Sequence, residues 1–299
     1  MNLISFKKAV GAADISFREN EPMRLHTSFA IGGPAELFIE LKSIDKVEQL
    51  LALVRQYEVP LTVVGNGSNL LVSDLGIDGA VLKFCDDTIS VNGDEIECAA
   101  GAKLSALSSK ARASGLGGAE FAWGIPGTVG GAIFMNAGAY GGEIKQIITS
   151  CRSITLDGKT VVRNNEELKL GYRTSIFKEN DEIILSAKFK LSSRDKDKIS
   201  HDMDDYMSRR KEKQPIELPS AGSTFKRPEG HFAGALIEQC GLKGAAVGGA
   251  EVSTKHAGFI VNKGGATADD VKKLIEKVRD TVLTETGVLL EPEVVFKGR

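Results

Sequence analysis

The sequence lacks the marks of a secreted, membrane-spanning, metal-binding or nucleic-acid-binding chain. Its four cysteines, Cys85, Cys98, Cys151 and Cys240, form no CxxC pair, and no cysteine–histidine cluster has metal-ligand spacing. That argues against a zinc or redox motif and leaves no metal among the expected cofactors. A chain of 299 residues needs no disulfide framework, so the four thiols read as reduced. The four histidines, at 26, 201, 231 and 256, are scattered and read as surface or satisfied core groups. No run of about 18 apolar residues is present, so no membrane span is expected. The opening MNLISFKKAV lacks the arrangement of a secretory signal, and a cytoplasmic location follows. With net charge -2 and pI about 6.2, no cationic excess is available to neutralise a nucleic-acid backbone.

What is abundant is glycine, with 33 residues, 16 of them clustered at 65–67, 115–131, 138–142 and 241–249. Length suggests two or three domains at roughly 100–200 residues each. Residues 35–41 alternate weakly as a strand, and Ile44–Tyr57 carries Val47, Leu50, Leu51 and Val54 at helical spacing. Leu61–Val64 is a short apolar run between Pro60 and Gly65, completing a βαβ-like unit. Hairpins follow: 89–91 and Glu95–Ala99 around Asn92-Gly93, then 153–156 and 160–162 around Asp157-Gly158, each read as a type I′ turn. Between them, Leu104–Ala113 reads as a helix stopped by Gly115.

Composition shifts at 194–214, a charged stretch with Ile199, Met203, Tyr206 and Met207 on one helical face. Residues 232–240 read as a helix ended by Gly241. A long helix carries Val271, Leu274, Ile275, Val278 and Val282, opens with Thr267 and Asp270 at capping-box spacing and stops at Gly287. Residues 288–296 form a strand candidate interrupted by Pro292. The class is mixed α and β.

Two loops carry the functional signal. In the first, a buried strand leads straight into Gly65-Asn66-Gly67-Ser68-Asn69. Such a turn can aim successive backbone N–H groups at an anion, while Asn66-Gly67 as a plain hairpin turn accounts for the same residues equally well. Leu70 stands where a dinucleotide-binding GxGxxG needs its third glycine, and no GxxxxGK[ST] is present, so neither fingerprint applies. The second loop runs Gly127-Thr128-Val129-Gly130-Gly131 and on through Asn136, Gly138 and Ala139. It suits either close approach to a diphosphate or tight packing on a neighbouring strand.

Taken together, GNGSNLLVSD at 65–74 and GIPGTVGGAIFMNAGAYGGE at 124–143 resemble the FAD-binding region of the UDP-N-acetylmuramate dehydrogenase family, also called UDP-N-acetylenolpyruvoylglucosamine reductases. GYRTS at 171–175, PSAGSTFK at 219–226 and LEPEV at 290–294 match further motifs of that family in order. The likeness runs from about residue 25 to the C-terminus. It implies an α+β fold: a two-subdomain FAD-binding unit of the vanillyl-alcohol-oxidase type, plus a C-terminal α/β substrate-binding domain. On that pattern 1–84 is the first FAD-binding subdomain, 85–193 the second with 288–299 returning to it, and 194–287 the UDP-sugar domain. Residues 176–191 leave little room for the tyrosine-bearing insertion of some members, so the chain resembles the shorter type.

The resemblance implies a bacterial cell-wall enzyme that uses NADPH and non-covalent FAD to reduce UDP-N-acetylglucosamine enolpyruvate to UDP-N-acetylmuramate, with no obligate protein partner. NADPH rather than NADH follows from the resemblance alone. It assigns Gly65, Asn66, Gly67, Ser68, Asn69, Gly127, Thr128, Val129, Gly130, Gly131, Asn136, Gly138 and Ala139 to the cofactor. Arg173, Ser223 and Glu293 are the catalytic candidates. Arg173 can hold a carboxylate with two hydrogen bonds, Ser223 would protonate the substrate carbon once polarised by neighbours, and Glu293 would act with Arg173 at the carboxylate. Arg210 and Lys226 are substrate-binding candidates, although a solvated charged helix explains 209–211 as well. Arg227 stands where relatives carry Asn, which removes that position from the substrate set. Trp123 reads as packing rather than a flavin stack. A flavin oxidase acting on another substrate and a nucleotide-binding regulatory module are the competing readings.

Overall fold

A computed structural model describes residues 2–299, which fall into two compact units. The first comprises residues up to 19, 37–66 and 79–208; the second comprises 20–36, 67–78 and 209–299.

In the first unit the helix Leu3–Ala12 packs on the helix Ile44–Tyr57, with Phe6 meeting Tyr57 edge to face at 6.2 Å. Val47, Leu50, Leu51 and Val54 are the buried stripe of the second helix, as their spacing requires. The same unit holds a parallel strand pair, Leu61–Val64 against Ala80–Lys83. A five-stranded antiparallel sheet follows, in the order Thr160–Asn164, Ile148–Ile154, Ile183–Lys190, Glu95–Ala99, Ile89–Asn92. One continuous apolar core runs through this unit, from Phe6 to Leu191.

The turns of that sheet differ from expectation. Asn92 pairs with Glu95, so the loop is Gly93-Asp94 and only Gly93 has positive φ. A type I′ turn needs positive φ at both central residues, whereas type II′ needs it only at the first. At 157–158 only Gly158 has positive φ, and Thr160 pairs with Ile154, so that connection spans five residues. The pair with both central residues at positive φ is Tyr140-Gly141, joining Gly138–Ala139 to Gly142–Glu143.

The second unit has its own core, from Phe29 to Val294. It holds a three-stranded antiparallel sheet, Ala246–Val247, Ala250–Val252 and Ile260–Asn262, and the helices Ala233–Gln239 and Ala268–Thr286. Thr267 and Asp270 form the expected capping box, and Gly287 closes the long helix at φ 71°. Asp74 adds a cap from far away in sequence: its carboxylate accepts from Ala268 N at 2.9 Å and Asp269 N at 3.1 Å.

Residues 20–36 and 67–78 belong to this second unit. Main-chain and side-chain bonds hold them there: Ser28 Oγ donates to Ser220 O at 2.6 Å, and Asn262 Nδ2 to Phe29 O at 3.2 Å. The closing strand also differs. It is confined to Val295–Lys297 and pairs in parallel with Leu70–Val72, not with the sheet of 85–193. The reason lies just upstream, where Pro292 bridges Phe225 while Lys226 N donates to Glu291 O and Glu293 N to Thr224 O, each at 2.8 Å. Those bonds occupy 291–293 and leave only the last residues to form a strand.

Candidate functional site

The boundary between the units falls inside the first glycine loop, after Asn66. In the first unit, Gly65 lies so close to the second loop that a Cβ there would fall 2.6 Å from Thr128 Oγ1. Asn66 Nδ2 donates to Pro126 O at 2.6 Å and ties the loops together. Thr128 caps the short helix Val129–Phe134, accepting from Gly131 N at 3.3 Å. Val129 and Gly130 donate to Ala102 O and Ala100 O, which fixes the loop's path. In the first unit the backbone N–H groups of Asn66, Gly127 and Thr128 meet no acceptor among the described residues, and in the second unit the same holds for those of Gly67 and Ser68. Unengaged amides on glycine turns are the donor chemistry a diphosphate needs, and so the residues present fit a dinucleotide cofactor.

Some of the residues assigned to the cofactor also bond other parts of the protein. Asn136 is fully buried, with both amide donors and its carbonyl oxygen engaged by protein groups. Asn69, in the second unit, donates its side-chain amide to Glu293 O at 3.1 Å, and Val295 N donates back to Asn69 O at 2.9 Å. Gly138 and Ala139 form one arm of the Tyr140-Gly141 hairpin.

Of the catalytic candidates, Arg173 lies in the first unit, on a two-residue turn closed by Gly171 and Thr174. It is half-buried at φ 55°, its guanidinium 5.3 Å from the Tyr172 ring and Nη2 3.5 Å from Gly138 O. Residues 176–182 join this turn directly to the strand Ile183–Lys190, which leaves no insertion there. Ser223 and Glu293 lie in the second unit on paired segments. Ser223 is exposed, and the next residue, Thr224, is buried and accepts from Glu293 N. Thr224 Oγ1 also accepts from Ile260 N at 3.0 Å, anchoring the segment to the unit's sheet. Lys226 is ion-paired with Glu291 at 3.0 Å, and Arg210 is half-buried in the last turn of the helix Lys196–Lys213. Arg227 rests on the Phe232 ring, 4.0 Å from its centroid, and donates to His231 O.

Sequence reading missed an aromatic pair. Tyr140, at the tip of the second loop's hairpin, stacks on Tyr206 with centroids 4.6 Å apart and planes 6° apart. The helical periodicity of 194–214 gives Tyr206 no role beyond one face of the helix. The helix is held beside it by Arg194, which pairs with Glu120 and Asp202 at 2.7 Å each. Burial, with Asp202 and Glu120 nearby, pushes the Tyr206 phenol up and keeps it neutral. His256 is pushed down by burial, and its Nδ1 accepts from Gly258 N, a satisfied core role. Among the described residues no cluster of metal-ligating side chains occurs, and no helix is long and apolar enough to cross a membrane.

Residues 35–163 match a family model described as an FAD binding domain. The chain thus carries an FAD-binding domain within a mixed α+β fold. Residues 214–297 match a second model, the C-terminal domain of UDP-N-acetylenolpyruvoylglucosamine reductase. A relative of that name from Clostridium botulinum is 50% identical over 297 residues, covering 99% of this chain and 96% of the relative. One from Pediococcus pentosaceus is 48% identical over 286 residues, covering 95% of each. The crystal structure of UDP-N-acetylenolpyruvylglucosamine reductase from Thermus caldophilus superposes with a TM-score of 0.83 at 35% identity, covering 95% of this chain and 99% of that one. The chain belongs to the UDP-N-acetylenolpyruvoylglucosamine reductase family.

Proposed function

We propose that this chain reduces UDP-N-acetylglucosamine enolpyruvate to UDP-N-acetylmuramate with NADPH, as a cytoplasmic step of peptidoglycan precursor synthesis. The observation that carries this reading is near-full-length identity of about half to relatives named for the reaction. Four free thiols accord with a reducing compartment. We assign the flavin to the first unit's glycine loops together with 67–69, and the UDP-sugar to the second unit within 194–287.

The backbone amides of Asn66, Gly67, Ser68, Gly127 and Thr128 would hold the cofactor diphosphate. Gly65, Val129, Gly130, Gly131, Gly138 and Ala139 would supply close backbone approach, and Asn69 would shape the loop's exit. Bound FAD supplies the redox chemistry, relaying a hydride equivalent from NADPH to the substrate double bond. The protein must then orient the substrate, stabilise charge and deliver a proton. Arg173 would hold the substrate carboxylate, where negative charge grows; in a dry site that electrostatic stabilisation reaches several kcal/mol. Ser223 would donate the proton to the carbon beside that carboxylate. The residue is exposed, on a segment anchored by Thr224. Glu293 would stand at the same end of the substrate. Two carboxylates repel there unless one is protonated or a cation bridges them. Arg210 and Lys226 would meet the UDP diphosphate, Lys226 by exchanging its ion pair with Glu291.

Incubation of the purified flavoprotein with NADPH and the enolpyruvyl substrate under nitrogen tests the proposal. The expected result is NADPH consumption matched by a product two mass units heavier than the substrate. Consumption that requires oxygen and leaves the UDP-sugar unchanged would identify an oxidase instead.

A further inference from the structure

Asn136 was expected against the cofactor, yet its side chain is spoken for. An amide offers two N–H donors and a carbonyl oxygen. Here Nδ2 donates to Gly171 O at 2.9 Å and to the Glu143 carboxylate at 3.1 Å, while Oδ1 accepts from Lys145 N at 2.9 Å. The residue exposes 0% of its surface and has φ 42°, a conformation Asn tolerates better than most residues.

The Gly171 carbonyl is one end of the turn that carries Arg173. Gly171 and Thr174 exchange backbone bonds of 3.2 and 3.3 Å, leaving Tyr172 and Arg173 as the two residues of the loop. At the far end the Ser175 hydroxyl donates to Phe134 O at 2.8 Å. The turn is therefore fastened at both ends to 134–136, the segment that leaves the helix Val129–Phe134. Between those fastenings Arg173 keeps a left-handed backbone, φ 55°. A non-glycine residue persists there only where its surroundings over-determine it.

We infer that Asn136 is the positioning residue of Arg173: its buried amide clamps the Gly171 carbonyl and so fixes the turn that presents the guanidinium to the substrate. The inference rests on the assignment of Arg173 to the substrate carboxylate. The Glu143 carboxylate strengthens the clamp by orienting the same Nδ2, since a hydrogen bond to a charged acceptor is stronger than one between neutral groups. Arg173's contacts with Tyr172 and Gly138 O settle its side chain once the backbone is set.

The experiment uses the flavin-loaded full chain and reads the rate at which reduced flavin is reoxidised by the enolpyruvyl substrate. Asn136→Asp keeps the acceptor for Lys145 and tolerates the left-handed backbone, but donates to nothing and sets a second carboxylate on Glu143. N136D/E143Q removes that carboxylate pair and sets an acceptor oxygen, in place of a donor, against Gly171 O. The double variant should keep its flavin and slow by roughly 10–100-fold, the penalty of a misplaced catalytic group, a larger loss than E143Q alone produces. Adding N136D/E143Q to R173A should then slow R173A no further, because the clamp acts through a group already gone. Losses that multiply in the combined variant would overturn the inference, as would a parallel loss of flavin, which would return Asn136 to the cofactor. A wild-type rate in R173A itself would sink the role given to Arg173, and the inference with it; that outcome is read from the single variant alone.

Discussion

Ser223 and Glu293 make opposite demands on their surroundings. A hydroxyl must be polarised before it can act as an acid, and a carboxylate must be neutralised before it can approach another. The paired segments 224–226 and 291–293 keep both residues in one unit on backbone bonds that need neither side chain. Substitution there should therefore leave the fold and the flavin intact. Ser223→Ala is expected to slow product formation by about 10²–10⁴-fold, the usual contribution of a general acid, with flavin reduction by NADPH unaffected. Glu293→Gln should also retain flavin and lose most turnover; rates like wild type would remove either residue from the mechanism. The thiols give an independent check on packing. Burial pushes Cys98 and Cys151 up to about 12, whereas Cys85 and Cys240 are partly exposed. Alkylation of the native protein at pH 8, followed by mass spectrometry, should modify Cys85 and Cys240 and spare the other two until denaturant is added.

Among the elements, the helix Ala268–Thr286 was readable end to end, because Thr267, Asp270 and Gly287 are local signals that need no partner. Thr267→Ala should cost about 1 kcal/mol of stability in denaturant titration, as caps generally do. Backbone hydrogen bonding at Thr267 holds the Asp270 carboxyl below its ordinary value. A carboxyl depressed by folding contributes fully above its unfolded pKa and loses that contribution as pH falls through the folded one. Asp270→Asn should thus lower stability at pH 7 and shrink the further fall between pH 5 and pH 3; an unchanged acid limb would contradict the cap. What was not readable here was non-local. Asp74 caps the same helix from 194 residues away, and no periodicity announces that. Turn type failed for a related reason: strand pairing, not the dipeptide, fixes which two residues sit in the loop. The pairing shifts the first turn to Gly93-Asp94 and puts the doubly left-handed one at Tyr140-Gly141.

At the scale of the whole molecule, the ordered motifs identified the family and the α+β class, since five short segments in one order resist coincidence. The division of the chain was less accessible. Residues 20–36 and 67–78 join the second unit through contacts with distant residues, Ser28 with Ser220 and Leu70–Val72 with Val295–Lys297, and such contacts leave no pattern in composition. The candidate site was readable as a set of residues but not as a set of contacts. The motifs single out Arg173, Ser223 and Glu293 as candidates, while the bonds from Asn69 to Glu293 O and from Asn136 to Gly171 O appear only in the structure. Chemistry of that kind depends on which carbonyl happens to lie within reach. The most direct measurement of the central claim is anaerobic stopped-flow absorbance of the flavin-loaded protein. After reduction with one equivalent of NADPH, mixing with UDP-N-acetylglucosamine enolpyruvate should restore the oxidised flavin spectrum rapidly and yield one equivalent of UDP-N-acetylmuramate. A reduced flavin that persists with the substrate and is reoxidised only when oxygen is admitted would contradict the account.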